Sequence, residues 1–197
     1  MLAVAARSEQ LTRAMRSLEA AFLIGVEGVT EILLIRHADC YEDLADAVDP
    51  PLSKLGRGQA ARLAERMRQT KPAVVYSSPY RRAMETAKAF GGEIHVDERL
   101  VEMKLEVTDD GSLEVREPQT AVVERMRAVV DEITERHAGQ RIAVVAHGAA
   151  IIAYLTHVLR LDPGQFRFLP YYTSISVVRA RGDRRMVGAL GDVAHLE

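Results

Sequence analysis

The sequence contains the stretch Ile32-Leu33-Leu34-Ile35-Arg36-His37, in which four aliphatic residues are followed directly by an arginine and a histidine. An uninterrupted aliphatic run of this length predicts a strand that is buried on both faces, as in the middle of a parallel sheet. Open α/β sheets bind their ligands at the carboxyl ends of such strands. Arg36 and His37 are therefore the first candidates for a functional site.

The rest of the chain alternates between aliphatic runs and amphipathic segments. Ser53 is predicted to cap a helix that runs to about Gln69, and Ser78, followed by Pro79, is predicted to cap the next helix. An irregular acidic stretch is expected over 97–117. The other predicted strands lie at 73–76, 94–96, 142–146, 173–179 and 185–190, and the other predicted helices begin at 118 and 148. This alternation predicts one three-layer α/β/α sandwich with a mostly parallel central sheet.

The composition is that of an ordinary globular protein. The chain has 197 residues, of which 48% are hydrophobic, enough for one large core. Its formal net charge of -2 gives no indication of a nucleic acid or an anionic membrane as a partner. Cys40 is the single cysteine, which excludes an internal disulfide and favours a reducing, cytoplasmic location. Without a second thiol or a neighbouring base, Cys40 is interpreted as a half-buried side chain rather than a nucleophile.

The first thirty residues form a separate segment. Residues 7–22 are predicted to form an amphipathic helix, with an apolar stripe of Leu11, Met15, Leu18 and Phe22. The segment lacks the pattern of a signal peptide and the apolar length of a membrane span. The stripe is expected to pack on the domain or on a second subunit as a homo-oligomer contact, and a peripheral membrane helix is less favoured. We therefore predict a helical extension over residues 1–30 and one domain over residues 31–197.

A second aliphatic run also ends in a histidine, at Val145-Ala146-His147. In one sheet with right-handed crossovers both strand tips lie at the same edge, so the two imidazoles are predicted to converge. A helix between them in sequence carries Arg81 and Arg82 in its first turn, where free amide groups and the helix dipole favour an anion. Cationic side chains from three strand-to-helix junctions predict a binding site for an anion such as phosphate.

Five stretches resemble, in the right order, the motifs of the histidine phosphatase superfamily, whose fold is phosphoglycerate-mutase-like. Leu34-Ile35-Arg36-His37-Ala38 is similar to its Arg-His-Gly signature, with Ala38 in place of the glycine. The other four stretches are 51–60, 75–87, 99–102 and 144–148. The resemblance covers the chain from about Ile32 to Val187, so residues 31–197 resemble a histidine phosphatase domain. The N-terminal helix lies outside the resemblance.

The resemblance implies a role for each residue of the predicted site. His37 would be the nucleophile that accepts the phosphoryl group, and it would attack as the neutral imidazole. Arg36, Arg82 and His147 would bind the phosphoryl oxygens and stabilise their charge, so neither a metal ion nor a cofactor is implied. The family pattern selects the arginine directly before the alanine, which is Arg82, and leaves Arg81 on the surface.

The resemblance also implies a carboxyl group that protonates the leaving oxygen and later activates water. Glu102, two residues after a leucine, fits this position best. Glu98 and Glu106 lie four residues to either side and are the alternatives. The segments 105–117 and 166–172 are expected to line the mouth of the pocket.

These roles predict a metal-independent phosphatase that hydrolyses a small phosphorylated substrate. The interval from Glu102 to His147 is too short for the large insertions that close over the substrate in phosphoglycerate mutases, so a mutase-type phosphotransferase is less favoured. A phospho-ligand-binding module without turnover is another alternative, because Ala38 and Asp39 depart from the family pattern. A metallo-phosphoesterase that uses His37, Asp39 and His147 as ligands is a further alternative.

Overall fold

A computed structural model of the chain describes residues 2–41, 49–162 and 165–197. The strands are β1 (Thr30–Arg36), β2 (Val74–Ser77), β3 (Ile94–Val96), β4 (Leu105–Val107), β5 (Leu113–Val115), β6 (Arg141–Ala146), β7 (Ile175–Arg181) and β8 (Arg184–Asp192). The helices are α1 (Leu2–Ala21), α2 (Lys54–Thr70), α3 (Arg81–Lys88), α4 (Gln119–Arg136) and α5 (Gly148–Leu159). Within these residues the main sheet has six strands in the order β3-β2-β6-β1-β7-β8.

Four neighbouring strands of the main sheet run parallel. β1 pairs in parallel with β6, β6 with β2, and β2 with β3. On its other side β1 pairs antiparallel with β7, which pairs antiparallel with β8. The prediction of a mostly parallel sheet is therefore confirmed. The strand predicted around Ile32 to Ile35 lies in the interior of that sheet, between two partners.

Alternate residues of β1 point into two different cores. Ile32 and Leu34 pack in a cluster with residues of α4 and α5, whereas Leu33 and Ile35 pack in a cluster with residues of α2 and α3. All four side chains are buried, as a continuous aliphatic run requires in a sheet that is covered on both faces. The fold is thus the predicted three-layer α/β/α sandwich. Arg36 and His37 lie at the carboxyl end of β1, in the central layer.

The start of α2 agrees with the sequence prediction, whereas the start of α3 does not. Ser53 caps α2 as predicted, because its Oγ accepts a hydrogen bond from the backbone N–H of Gly56 at 2.9 Å. The prediction that Ser78 caps the next helix is wrong, since α3 begins only at Arg81. The backbone N–H of Arg81 donates instead to the carboxylate of Asp49, whose two oxygens lie at 2.8 and 2.9 Å. A residue from another loop thus supplies the cap, and the Ser78 hydroxyl is available to a different partner.

The stretch over 97–117 contains a small hairpin, which corrects the prediction of an irregular loop. β4 and β5 pair antiparallel across the turn at Asp109-Asp110-Gly111. All residues of these two strands are exposed. Leu-Glu-Val in each strand alternates apolar and polar residues, but three residues are fewer than the run of about four to eight over which alternation predicts a strand.

Helix α1 leaves its apolar stripe uncovered. The side chains of the stripe are about half exposed or more, at Leu11, Met15, Leu18 and Phe22. Of the predicted alternatives, packing of this stripe on the domain itself is therefore wrong. The end of the helix is attached to the sheet by Arg184 of β8, whose Nη2 donates to the carbonyl of Ala21 at 2.6 Å. No helix among the described residues has the length and apolar character needed to cross a membrane.

Candidate active site

The carboxyl ends of β1 and β6 bring two histidines together at one edge of the sheet. The two strands pair in parallel up to Arg36 and Ala146. The residues that follow them, His37 and His147, therefore lie side by side. The imidazole centroids of His37 and His147 are 5.1 Å apart, and the two residues are 3% and 0% exposed. The convergence predicted from the two strand ends is therefore present.

The ring of His37 is held in one tautomer. Its Nδ1 lies 2.8 Å from the backbone carbonyl oxygen of Ala38. Because a carbonyl oxygen only accepts hydrogen bonds, Nδ1 carries the proton and Nε2 carries the lone pair. Burial, together with the positive charges of Arg82 and Arg36, lowers the pKa of His37 to about 3. His37 is therefore a neutral imidazole at neutral pH, with its lone pair at Nε2.

His147 precedes α5 and contacts the neighbouring junction through Ser78. Its Nε2 lies 2.8 Å from the Oγ of Ser78. Its Nδ1 is buried and has no hydrogen-bond partner among the described residues. Burial lowers the pKa of His147 well below its usual value, and the neighbouring His37 and Arg82 lower it further. Because a buried polar atom without a partner is costly, Nδ1 is suited to a polar ligand bound beside the two histidines.

The guanidinium of Arg36 lies against an aromatic ring. Its Cζ is 4.0 Å from the ring centroid of Tyr172, and its Nη1 donates to the carbonyl of Pro170 at 2.8 Å. Its Nε is buried and also has no hydrogen-bond partner within the described part of the chain. The ring of Tyr172 lies 5.9 Å from that of His37, between centroids. The segment 166–172, which was predicted to line the pocket mouth, thus holds Arg36 beside the first histidine.

The two arginines of the first turn of α3 have different surroundings. The side chain of Arg82 is 11% exposed, and its charge lowers the pKa of both histidines. Its Nη1 lies 3.5 Å from Oδ1 of Asp49, and its Cζ lies 4.8 Å from the ring centroid of Tyr80. Arg81 is 57% exposed and forms an ion pair of 2.9 Å with Glu85. Arg82 therefore lies close to the two histidines, and Arg81 lies on the surface as predicted.

The backbone after His37 is hydrogen-bonded to side chains of α3 and α2. The N–H of Ala38 donates to Oγ1 of Thr86 at 3.0 Å, and the N–H of Asp39 donates to Oε1 of Gln59 at 2.9 Å. A Cβ built on Gly56 would lie 1.9 Å from the carbonyl oxygen of Asp39, so α2 approaches this loop more closely than any side chain permits. These contacts fix the turn that contains the alanine.

Asp39 and Cys40 do not join the two histidines. Oδ1 of Asp39 accepts a hydrogen bond of 2.5 Å from Oγ of Ser53, which directs the carboxylate toward α2. The described residues contain no group of three or more His, Cys, Asp or Glu side chains that could hold a metal ion. The ligand set of the metallo-phosphoesterase alternative is therefore not assembled. Cys40 is buried, and burial raises the pKa of its thiol, which keeps the thiol protonated.

Glu102 contacts the helix that follows the second histidine. Its Oε1 accepts a hydrogen bond from the N–H of Ala150 at 3.0 Å, and its Oε2 accepts one from the N–H of Ala149 at 3.3 Å. Both N–H groups belong to the first turn of α5, which begins directly after His147. These donors fix the orientation of the carboxylate and hold it at the same edge of the sheet as the histidines.

The other two acidic candidates have different surroundings. Glu106 forms an ion pair with Arg116 within the β4–β5 hairpin, and Glu98 is an exposed residue of the 3₁₀ helix Glu98–Leu100. The structure thus brings five of the predicted residues to one edge of the sheet, namely Arg36, His37, Arg82, Glu102 and His147.

Sequence reasoning did not predict the contacts of four residues that support this set, namely Ser78, Tyr80, Thr86 and Tyr172. The ring centroids of Tyr80 and His147 are 5.2 Å apart, so each tyrosine contacts one arginine and one histidine. Ser78, Tyr80 and Thr86 all lie within four residues of Arg82, and that spacing was the available signal. Tyr172 is distant in sequence from the other residues, and only the expectation that the segment 166–172 lines the pocket mouth included it.

Two cavities help to define the surroundings of the site. A cavity of about 720 Å³ lies between α4, α5 and the turn at Gly182. Because β7 runs antiparallel to β1, this turn is at the opposite edge of the sheet from the histidines. A cavity of about 690 Å³ lies beside Asp39 and Tyr41, against the first turns of α2, and therefore adjoins the site. The volumes of the two cavities are similar and do not identify the site. The residues around His37 and His147 identify it.

Known proteins are similar to this chain over most of its length. The family model of the histidine phosphatase superfamily (branch 1) matches residues 32–118 and 107–193. A metal-independent phosphoserine phosphatase of Arabidopsis thaliana is 25% identical over 202 aligned positions, covering 85% of this chain and 84% of the relative. Phosphoserine phosphatase 1 of Hydrogenobacter thermophilus is 27% identical over 203 positions, covering 85% and 95%.

A solved structure shares the fold. It is a phosphoserine phosphatase from Entamoeba histolytica in complex with 3-phosphoglyceric acid, and it superposes with a TM-score of 0.72. The sequences are 20% identical, and the superposition covers 85% of this chain and 100% of the other. The two proteins therefore share the fold over most of this chain.

Proposed function

This chain belongs to the histidine phosphatase superfamily, branch 1, and we propose that it hydrolyses small phosphate monoesters without a metal ion, through a phosphohistidine at His37. In this proposal residues 31–197 form the catalytic domain and residues 1–30 form a helical extension. Two relatives are named phosphoserine phosphatases, and one of them is described as metal-independent. Their names support a phosphate monoester as the class of substrate.

The proposal rests on the tautomer and the neutral charge of the His37 ring. Its proton is held at Nδ1 by the Ala38 carbonyl, and its low pKa leaves the ring neutral, so the lone pair at Nε2 is available for attack. Nε2 forms a bond to phosphorus while the bond from phosphorus to the leaving oxygen breaks. One difficult displacement is thereby divided into two easier ones, which is the usual gain of covalent catalysis.

Positive charge and N–H donors would stabilise the transferred group. Arg36 and Arg82 supply the charge, and the unpartnered Nε of Arg36 and Nδ1 of His147 supply buried donors that a phosphoryl group would satisfy. When the Ser78 hydroxyl donates to Nε2 of His147, the ring proton lies at Nδ1, where it can bind a phosphoryl oxygen. Preorganised donors of this kind act in the transition state, where charge on the oxygens is shared with the protein.

Glu102 would serve in both steps. In the first step its protonated carboxyl group gives a proton to the leaving oxygen, so that an alcohol rather than an alkoxide departs. In the second step the carboxylate takes a proton from water as the water oxygen bonds to phosphorus. The bond from phosphorus to Nε2 of His37 then breaks, which releases inorganic phosphate and restores the enzyme. The hydrogen bonds from Ala149 and Ala150 support this role by holding the carboxylate at the site.

The test is hydrolysis of p-nitrophenyl phosphate by the full chain in excess chelator. We expect release of both p-nitrophenol and inorganic phosphate at the same rate with and without the chelator. His37→Ala is expected to abolish turnover while circular dichroism shows an unchanged fold. Loss of activity in chelator would contradict the metal-free proposal, and transfer of phosphate to a second organic substrate in place of water would favour the mutase-type alternative.

The proposal includes a homo-oligomer contact through α1 and a cytoplasmic location. The exposed stripe of Leu11, Met15, Leu18 and Phe22 supports the contact, because an uncovered apolar helix face is costly in water. The unpaired thiol of Cys40 supports a reducing compartment. Light scattering on the full chain and on a variant with Leu11→Ser and Leu18→Ser tests the contact, which predicts a larger mass for the unaltered chain only.

A further inference from the structure

Three tyrosine rings form a continuous surface from the phosphate pocket to solvent, here called the aromatic wall (Tyr41, Tyr171 and Tyr172). Tyr172 is the inner member, because it lies against Arg36 and His37. The ring centroid of Tyr172 is 6.2 Å from that of Tyr41 and 5.7 Å from that of Tyr171. The wall therefore begins at the proposed nucleophile and extends outward in two directions.

The outer members of the aromatic wall are exposed. Tyr41 is 59% exposed and Tyr171 is 55% exposed. Large aromatic side chains that remain together in water at the mouth of a pocket mark a binding surface. The cavity beside Tyr41 provides room for a bound group next to this ring.

The segment that carries Tyr171 and Tyr172 also approaches the helix that holds the proposed acid. The carboxylate of Glu102 accepts hydrogen bonds from the first turn of α5, and the proposed acid faces the leaving oxygen. Gly148 begins the same helix, and a Cβ built on it would lie 3.7 Å from Cδ1 of the exposed Leu169. Leu169 belongs to the segment that carries Tyr171 and Tyr172. An organic group attached to the leaving oxygen would therefore meet apolar and aromatic surface.

We infer that the substrate is a phosphate monoester whose leaving group carries an aromatic or similarly planar apolar body, which packs on the aromatic wall. This inference rests on the proposed phosphatase function. Covering exposed aromatic surface with an apolar group is favourable, whereas a small zwitterion such as the serine part of phosphoserine covers little of it. The phosphate group is bound by the arginines and histidines in either case, so the wall selects among esters.

The test compares 2-phenylethyl phosphate with ethyl phosphate as substrates of the full chain. Both esters release a primary alcohol of similar acidity, so the chemical step at phosphorus is closely matched. The ratio of their kcat/KM values therefore reports how the protein binds the ring. We expect the ratio to favour 2-phenylethyl phosphate by about tenfold or more. A ratio near one, or a higher kcat/KM for phosphoserine than for 2-phenylethyl phosphate, would overturn the inference.

Two variants locate the preference. Tyr171→Ala and Tyr41→Ala are each expected to lower the ratio severalfold, whereas Tyr171→Phe should preserve it because the aromatic face remains. Phe22→Ala is the matched control, since Phe22 is a similarly exposed aromatic residue directly after α1. Because both kcat/KM values are measured on the same protein, partial loss of folded enzyme cancels in the ratio. A high ratio that neither alanine variant lowers would overturn the inference.

The same measurements separate the two proposals. Hydrolysis of all the esters without the expected ratio overturns the inference about the aromatic wall and leaves the proposed phosphatase function standing. Absence of hydrolysis of every ester, with p-nitrophenyl phosphate as a further substrate, overturns both.

Discussion

The imidazole rings of His37 and His147 lie with their centroids 5.1 Å apart, and both rings are neutral at neutral pH. Burial and two neighbouring arginines favour this state, because two imidazolium ions at that distance would add charge repulsion to an already cationic pocket. One ring offers a lone pair at Nε2 and the other offers an unpartnered Nδ1. The pair can therefore combine an attacking atom with a donor for the group that is attacked.

The charge state of His37 makes a prediction about stability. In the unfolded chain a histidine with a pKa of about 6.5 gains a proton as the pH falls from 7 to 5, whereas the folded state keeps His37 neutral until about pH 3. The unfolded state thus binds more protons, and the free energy of unfolding falls by about 2 kcal/mol over this range through His37 alone. Urea denaturation at pH 7 and pH 5 should show a smaller fall for His37→Gln. An equal fall in both proteins would contradict the low pKa.

The role of Glu102 is tested by the acidity of the leaving group. Glu102→Gln should lower kcat for ethyl phosphate by about 100-fold or more, because an alkoxide needs the proton. With p-nitrophenyl phosphate the variant should still release a burst of p-nitrophenol, since p-nitrophenolate leaves without a proton, and should then turn over slowly. Stopped-flow absorbance measures both phases.

Glu98→Gln is the matched control for this experiment, because Glu98 was the neighbouring acidic candidate and is exposed. It should behave like the unaltered protein with both esters. If Glu98→Gln shows the leaving-group dependence and Glu102→Gln does not, the acid has been assigned to the wrong residue.

The two adjacent arginines of α3 provide another matched pair. Arg82→Lys should lower kcat/KM for p-nitrophenyl phosphate by about 100-fold or more, because lysine cannot reproduce the fork of N–H donors in the site. Arg81→Lys removes only an exposed contact with Glu85 and should change kcat/KM by less than about threefold. Comparable losses in the two variants would show that α3 as a whole, rather than the Arg82 side chain, is required.

Two glycines of α2 test how the loop after His37 is supported. Gly56→Ala would place a Cβ 1.9 Å from the carbonyl oxygen of Asp39, so it should lower the free energy of unfolding by about 1 to 3 kcal/mol and reduce kcat. A Cβ on Gly58 would meet nothing within 4 Å, so Gly58→Ala should stabilise the helix by about 0.5 to 1 kcal/mol. Thermal denaturation and turnover of both variants check this. Effects of the same sign on stability would contradict the close approach of α2.

The sequence predicted best those elements whose hydrophobic pattern matches their burial in the structure. The aliphatic runs before His37 and His147 become neighbouring strands, because a run that is apolar on both faces is stable only inside a sheet covered by helices. The convergence of the two histidines follows from that pairing. This part of the site could therefore be predicted from the positions of the two strand ends.

The features of the site that the sequence did not predict depend on contacts between residues far apart in the chain. Ser78 has the sequence signal of a helix cap, but Asp49 from another loop caps α3 and Ser78 binds His147 instead. The packing of Tyr172 on Arg36 is set by the path of a loop, which no local pattern encodes. The hairpin over 105–115 was missed for a local reason, because each of its strands is only three residues long.

The most direct test of the central claim is to quench turnover of p-nitrophenyl phosphate at high pH, where a phosphohistidine survives, and to locate the phosphoryl group by peptide mass spectrometry. We expect a phosphoryl group on His37 during turnover, enriched in Glu102→Gln because the second step is slowed, and no adduct in His37→Ala. A phosphoryl group on another residue, or full turnover by His37→Ala, would contradict it.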